Sequence, residues 1–391
     1  MPNIADIIEV AEELEDKPVL AMPRRCVVVR NRNASCRKCM DACLADAISI
    51  HNNVMAVDYK RCVGCGACTT VCPTEALVSI SPMDEQFAQA AASSLEQLGG
   101  TRAVIACARI ASKGLADPHK YAEVPCMARV DESVLVELAA AGADDVVLVD
   151  GVCKTCKYRA TSAGVDETVA SANSLLEMQG APAVVRRASE FPEGMALANP
   201  NSLLGESRRG FFTSGASWTA NAAGKTADMV IRKNLGMGKK QQTLREQLGA
   251  GDSGTLPQFE ERRRTQVLDA LDRLGQPVQP DIKTRLFGNV SIDISKCNTC
   301  GMCAVFCPTG ALKKSDIKPS PNADGTPDGG SFLEFSCAEC VQCGLCVDAC
   351  MKKCITVSPV VSTAELFDFE PRFVYLPKPQ ARPGILSGIR R

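Results

Sequence analysis

The placement of 22 cysteines in a chain of 391 residues constrains this sequence more than any other feature. They fall into three blocks and nowhere else. The first holds Cys26, Cys36, Cys39 and Cys43, then Cys62, Cys65, Cys68 and Cys72; the second holds Cys107, Cys126, Cys153 and Cys156. The third holds Cys297, Cys300, Cys303 and Cys307, then Cys337, Cys340, Cys343, Cys346, Cys350 and Cys354. Two stretches, "CVGCGACTTVCP" and "CNTCGMCAVFCP", have the spacing C-x2-C-x2-C-x3-C-P. Three thiolates on such a tight loop wrap three irons of one [4Fe-4S] cubane, and the fourth cysteine, expected to open a short helix, reaches the neighbouring cubane. Gly64, Gly66 and Gly301 beside them permit that close approach of backbone. Zinc also uses C-x2-C pairs, but two pairs satisfy it and a run of four has no purpose for it.

An internal repeat sets the register of the irregular runs. The fourth cysteines open "CLADAISI", "CPTEALVSI", "CPTGALKK" and "CMKKCITVS", each with a small residue four positions on. These read as four helical starts sharing one packing position, held by Ala47, Ala76, Ala311 and Cys354, so Cys354 is expected to be a small buried residue in place of alanine. Two cubane sets follow in the third block: Cys297, Cys300, Cys303 and Cys350, and Cys307, Cys340, Cys343 and Cys346. Cys337 lies one step outside, as a spare thiol or an alternative ligand. In the first block Cys43, Cys62, Cys65 and Cys68 form a set. The other set, Cys36, Cys39 and Cys72, lacks a member because Asn33 stands where the spacing asks for cysteine. Cys26, on the strand-like "RRCVVVR", is the one cysteine left in the block, and a nine-residue loop brings it back at little extra closure entropy. A three-iron cluster, or ligation by Asn33 or water, is the other reading.

The middle of the chain alternates buried apolar runs with amphipathic stretches. "RAVIACA", "YAEVPCM", "DDVVLVDG" and "APAVVRRA" read as strands; "DESVLVELAAAGA", with Asp131 as N-cap, and "KYRATSAGVDETVASANSLLEMQG" read as helices. This βαβ alternation predicts a small parallel sheet. Cys107, Cys126 and Cys153 lie at or just past carboxyl ends of its strands, where open parallel sheets gather ligands, and Cys156 follows Cys153 by C-x2-C. Four thiolates there suit a [2Fe-2S] cluster; structural zinc also takes four cysteines.

Charge and remaining motifs exclude much. Forty-four Lys plus Arg against 45 Asp plus Glu leave a net charge of -1, so no global field favours nucleic acid or an anionic membrane. No apolar run approaches the length of a membrane span, and 22 cysteines without disulfide logic fit a reducing, cytoplasmic setting. "SRRGFFTSG" has the look of a twin-arginine signal, but it lies mid-chain and leads into a polar stretch. "GAGDSG" is formally G-x-G-x-x-G, yet it follows "KKQQTLREQL", which reads as helix and not strand. His51 and His119 are isolated, and no catalytic set appears.

The stretch "VPCMARVDESVLVELAAAGADDVVLVDGVCKTCKYR" resembles the iron-sulfur delta subunit of the methyl-viologen-reducing hydrogenase. The resemblance covers about residues 100 to 190 and implies a [2Fe-2S] cluster and electron transfer between a hydrogenase or formate dehydrogenase and a heterodisulfide-reductase flavin subunit. Cys153 and Cys156 depart from that family, whose last two cysteines are more widely spaced. The flanking blocks resemble bacterial two-cluster ferredoxins. The chain thus reads as α/β plus α+β: a small parallel-sheet α/β domain between two ferredoxin-like iron-sulfur modules. The expected boundaries are a helical extension (1–23), a 2[4Fe-4S] module (24–84), the delta-subunit-like domain (85–190), a linker (191–288) whose helix "PQFEERRRTQVLDALDRLG" packs along a partner, a second 2[4Fe-4S] module (289–360) and a tail (361–391). Four [4Fe-4S] clusters and one [2Fe-2S] cluster make an electron-transfer subunit. The expected partner is a larger catalytic oxidoreductase: a molybdenum or tungsten pterin enzyme, a hydrogenase, or a flavin-containing heterodisulfide-reductase-like subunit. The rival is an enzyme reducing a disulfide or thiol near Cys337 and Cys354.

Overall fold

In the computed structural model, which describes residues 17–196, 256–259, 262–321 and 328–378, the two outer cysteine blocks share one plan. In the first, β1 (Val19–Ala21) leads to α1 (Val27–Arg30) and α2 (Lys38–Asp41), followed by the hairpin β2 (Ile48–His51) and β3 (Val54–Val57). Helix α3 (Ala67–Val71) comes next, and β4 (Leu77–Ser79) returns antiparallel to β1 with Leu20 facing Val78.

Between the blocks lie α4 (Asp84–Gln97), β5 (Arg102–Cys107), β6 (Ala122–Val124), α5 (Glu132–Ala140), β7 (Asp145–Val149), α6 (Ser162–Met178) and β8 (Val184–Ala188). The four strands form one parallel sheet in the order β6-β5-β7-β8. Val104, Ile105, Val147 and Leu148 of the two central strands are fully buried, as continuous apolar runs covered on both faces require. Asp131 caps α5 by accepting from Ser133 N at 3.0 Å, which satisfies one orphan donor of the first turn.

Helix α7 (Arg262–Leu274) and β9 (Asp281–Lys283) lead to the second block: β10 (Asn289–Ile292), α8 (Met302–Phe306), β11 (Leu312–Lys314), β12 (Ser331–Phe335), α9 (Leu345–Ala349) and β13 (Ile355–Ser358). Strand β13 returns to β10, and β12 pairs with β11, repeating the pairings of the first block. Beyond them, β14 (Val360–Ser362), α10 (Thr363–Phe367) and β15 (Arg372–Leu376) follow. Within the stretch read as a tail, Val361–Ser362 and Arg372–Leu376 belong to sheets: β14 pairs with β9, and β15 pairs with β12 along all five of its residues.

Local chemistry explains the cysteine loops. Gly66, Gly301 and Gly344 sit at φ 78°, 67° and 75°, the left-handed region that L side chains avoid, and each opens the helix that carries the third cysteine of its run. At Gly66 a side chain is excluded twice over, since a Cβ would lie 2.8 Å from Arg129 Cβ.

Three expectations are corrected here. The stretch "RRCVVVR" is not a strand: a 3-10 turn (Pro23–Arg25) and α1 place Cys26 at a helix N-cap. Burial of Val27 and Val29, together with the Asn53 amide donating to Val28 O and Val29 O at 3.0 Å, outweighs the strand preference of three valines. The fourth cysteines do not open helices: Cys72, Cys307 and Cys350 end α3, α8 and α9, and a turn then enters a strand. The left-handed residues Asp46, Glu75, Gly310 and Lys353 halt the helix just before the small residue of the repeat. Helix α7 forms, but it packs against α5 of its own chain, burying Val267, Leu268, Ala270 and Leu271 in the core shared with the sheet. The "SRRGFFTSG", "KKQQTLREQL" and "GAGDSG" segments lie outside the described residues, as do residues 1–16.

Candidate metal centres

Three of the four expected outer sets share cavities lined from two runs of their block. Cys43, Cys62, Cys65 and Cys68 line one cavity of about 390 Å³ with Leu44 and Ile48. Cys307, Cys340, Cys343 and Cys346 line a second of about 340 Å³ with Val290 and Leu312. A third, about 350 Å³, is lined by Cys297, Cys300, Cys303, Cys350 and Cys354 with Ile292 and Leu333. The similar volumes and apolar walls suit one kind of occupant. In the remaining set Cys39 feels the charges of Cys72, Cys26 and Cys36, and Cys26 those of Cys72 and Cys36. Asn33 is exposed and its main-chain N–H donates to Asn31 Oδ1 at 2.9 Å.

The donor chemistry fits a polynuclear cation. Burial pushes the thiols of Cys26, Cys65 and Cys303 up to about 11 and those of Cys39 and Cys340 up to about 12, and it raises Cys68, Cys343 and Cys346 too. Such thiols become thiolates only beside a strong positive charge, which bound iron supplies. Among the described residues no three His, Cys, Asp or Glu side chains close around one ion position. A cubane places each thiolate on a different iron, so its ligands need not meet at a point. Main-chain N–H groups already aim at the sulfurs: Ala47 N to Cys43 Sγ at 3.3 Å, Ala76 N to Cys72 Sγ at 3.2 Å and Leu312 N to Cys307 Sγ at 3.4 Å. Hydrogen bonds of this kind set the potential of a thiolate-bound cluster.

The middle cysteines gather at the carboxyl ends of β5 and β7. Cys107 ends β5, and its Sγ lies 4.0 Å from Asp150 O, as does Cys153 Sγ. Cys153 also feels Cys107, and Cys107 feels Cys126, whose Sγ lies 3.5 Å from Thr161 Oγ1. Cys156 has a different setting: its Sγ accepts from Tyr158 N at 3.4 Å. The residues that sequence reasoning missed are Asp150 and Arg187. Arg187 Nη2 donates to Asp150 Oδ2 at 2.5 Å and to Cys153 Sγ at 3.3 Å, so an ion pair between a half-buried arginine and a buried aspartate stands against Cys153. The position of Asp150, first after the apolar run "VVLV", was the available signal.

The sets adjoin one another. Cys65 feels Cys126, Cys68 feels Cys39, and Cys346 feels Cys303. Between the outer modules, Arg30 is 3 % exposed; its Nη1 donates to Pro257 O at 2.9 Å, and its charge acts on Cys307 and Cys343. Among the described residues its Nε and Nη2 have no hydrogen-bond partner. Leu256 is buried in the first module's core while Phe259 N donates to Pro308 O at 3.1 Å, so the segment 256–259 straps the modules together.

Cys337 and Cys354 have different neighbours. Cys337 Sγ lies 3.8 Å from Gly288 O, and Cys354 Sγ lies 3.4 Å from Cys350 Sγ.

No curated protein matches the chain. Residues 55–78 and 290–313 each match the family model of the 4Fe-4S binding domain, and residues 102–190 between them match that of the methyl-viologen-reducing hydrogenase, delta subunit. The chain carries two 4Fe-4S binding domains on either side of a delta-subunit-like domain, and its role is iron–sulfur electron transfer.

Proposed function

We propose that the chain is a five-centre relay, carrying single electrons between a catalytic oxidoreductase and another redox carrier. A bound [4Fe-4S] cluster supplies reversible one-electron chemistry. The sets proposed to hold such clusters are Cys26/Cys36/Cys39/Cys72, Cys43/Cys62/Cys65/Cys68, Cys297/Cys300/Cys303/Cys350 and Cys307/Cys340/Cys343/Cys346. Cys107, Cys126 and Cys153, with Cys156 as the fourth cysteine of the motif, are proposed for a [2Fe-2S] cluster, zinc being the competing metal. The observation that carries this reading is that the cysteine-bearing segments pack side by side: α2 on α3 and α8 on α9. Thr70, two residues past Cys68, donates to Ala128 O, two residues past Cys126, at 3.2 Å, and Ser35, next to Cys36, donates to Asp348, two residues past Cys346, at 2.7 Å. A relay needs such a series, and of its proposed ligands Cys300 alone is exposed, the rest being buried or half-buried.

The delta-subunit match favours a hydrogenase or a heterodisulfide-reductase-like assembly as the setting. The disulfide-reducing alternative would join Cys337 and Cys354, whose neighbours differ, so the relay is preferred. Anaerobically purified protein is expected to hold about 18 irons with matching sulfide, and to show magnetically interacting EPR signals on reduction. Redox-silent metal, or signals from isolated centres only, would sink the relay.

A further inference from the structure

The terminal set contains one sulfur too many. Its cavity wall includes five cysteines, Cys297, Cys300, Cys303, Cys350 and Cys354, where the comparable cavities have four. At the position of Cys354 the other three copies of the repeat have Ala47, Ala76 and Ala311, all buried. Cys354 is buried too, at 5 % exposure, so it keeps the packing role of alanine and adds a thiol. That thiol does not point away. Its Sγ lies 3.4 Å from Cys350 Sγ, and no disulfide joins them. Two thiolates on one tetrahedral metal, with bonds of about 2.3 Å, lie about 3.8 Å apart, so both sulfurs are within reach of a single metal position.

We infer that Cys354 is a second ligand for the iron position assigned to Cys350, the two being interchangeable. This rests on the cubane reading of Cys297, Cys300, Cys303 and Cys350. In the exchange the iron–sulfur bond to Cys350 breaks as one to Cys354 forms, and the proton of the Cys354 thiol passes to Cys350 Sγ. No electron moves and no other reactant is needed. The three residues between them, Met351, Lys352 and Lys353, are exposed, so the turn can adjust without disturbing the core. Whichever thiol is not a ligand donates its S–H to the sulfur of the one that is, a hydrogen bond the alanine copies lack. Donation to a ligand sulfur stabilises the reduced cluster, so this centre has a higher potential than the alanine version would.

The test uses full-length protein purified without oxygen, with iron and sulfide counts and EPR-monitored redox titration. Cys350→Ala is expected to keep the wild-type iron count, and Cys350→Ala/Cys354→Ala to lose about four irons or leave a three-iron signal. Cys354→Ala should keep its iron and lower the potential of one centre. The inference is overturned if Cys350→Ala alone loses as much iron as the double variant, or yields no soluble protein while Cys354→Ala does. It is equally overturned if Cys354→Ala leaves every potential unmoved. A wild-type count near zero would remove the cubane reading itself, whereas full wild-type iron with a Cys350→Ala loss removes only the second ligand.

Discussion

Ser35 and Asp348 join the two cysteine modules: the main-chain N–H and the hydroxyl of Ser35 both donate to Asp348 Oδ2, at 2.7 and 2.9 Å. Ser35 directly precedes Cys36, and Asp348 lies in α9 two residues after Cys346, so this exposed contact holds the cysteine loops of different modules in register. The charge of Asp348 acts on Cys36. Asp348→Ala is expected to cost only about 1 kcal/mol, as exposed polar contacts do. It should leave the iron count unchanged while weakening magnetic coupling between centres; equal coupling would show that the contact does not set the spacing.

Arg30 is the cation at the same junction. Burial pulls its guanidinium below the ordinary value, and Cys307 and Cys343 act in the opposite direction. It stays charged, since arginine does not deprotonate in proteins. A fixed positive charge stabilises a reduced cluster, so Arg30→Met should lower the potential of one centre in the second module. A shift of roughly 60 mV corresponds to tenfold in a one-electron equilibrium and is the size to look for by EPR titration.

Cys26 tests the first set. Cys26→Ser is expected to remove about four irons, or to leave a three-iron signal, while sparing the set of Cys43, Cys62, Cys65 and Cys68. Asn33→Ala should change nothing, because that side chain is exposed. An unchanged spectrum in Cys26→Ser would return the fourth ligand to water or to another residue.

Arg263 clamps three parts of the chain. Its guanidinium lies 3.6 Å from Asp131 of the middle domain and 3.5 Å from Glu75 of the first module. Burial alone would raise the Asp131 carboxyl, but Arg263 and Arg129 with the Ser133 hydrogen bonds outweigh it and hold the group below the usual carboxylate range. Arg263→Ala leaves two buried carboxylates short of a partner and should cost about 3 kcal/mol, the low end for a broken buried pair because Arg129 remains 3.8 Å from Asp131. A carboxyl with a depressed folded value stabilises above its unfolded pKa, about 3.9, and that contribution vanishes as pH falls through the folded value. Denaturant titrations of the wild type should therefore lose stability only well into acid, and those of Arg263→Ala at higher pH.

Arg187 is the counter-charge of the middle site. Arg187→Gln leaves Asp150 buried and unpaired beside Cys153, so about 3 kcal/mol of stability should go. The visible absorption of the middle centre should weaken, with the four outer centres intact. Retained absorption and stability together would place the ion pair outside the site.

Much of this architecture was legible in one dimension. The two C-x2-C-x2-C-x3-C-P runs pick out cysteines that share cavities, whereas the same spacing puts Cys337 beside Cys340 in sequence and not in the cavity that Cys340 lines. The alternation of apolar runs from Arg102 to Ala188 reads directly as four parallel strands, because a sheet covered on both faces admits only apolar residues. What misled was local: three valines after Cys26 look like a strand, and four similar turns look like helix starts. In both places tertiary burial and left-handed residues decide, and neither carries a periodicity that a short window can show.

By itself, then, the sequence determined the two 4Fe-4S binding domains, the delta-subunit-like segment between them and the α/β character of the centre, because spacing and periodicity are local properties. Tertiary structure alone decided that Cys26 caps a helix, that Arg30 lies buried between modules, and that Cys354 Sγ meets Cys350 Sγ. It also placed Arg187 on Asp150, 37 residues apart in the chain. These are long-range juxtapositions, and burial makes them matter: a charge or thiol removed from water acts strongly on whatever packing places beside it.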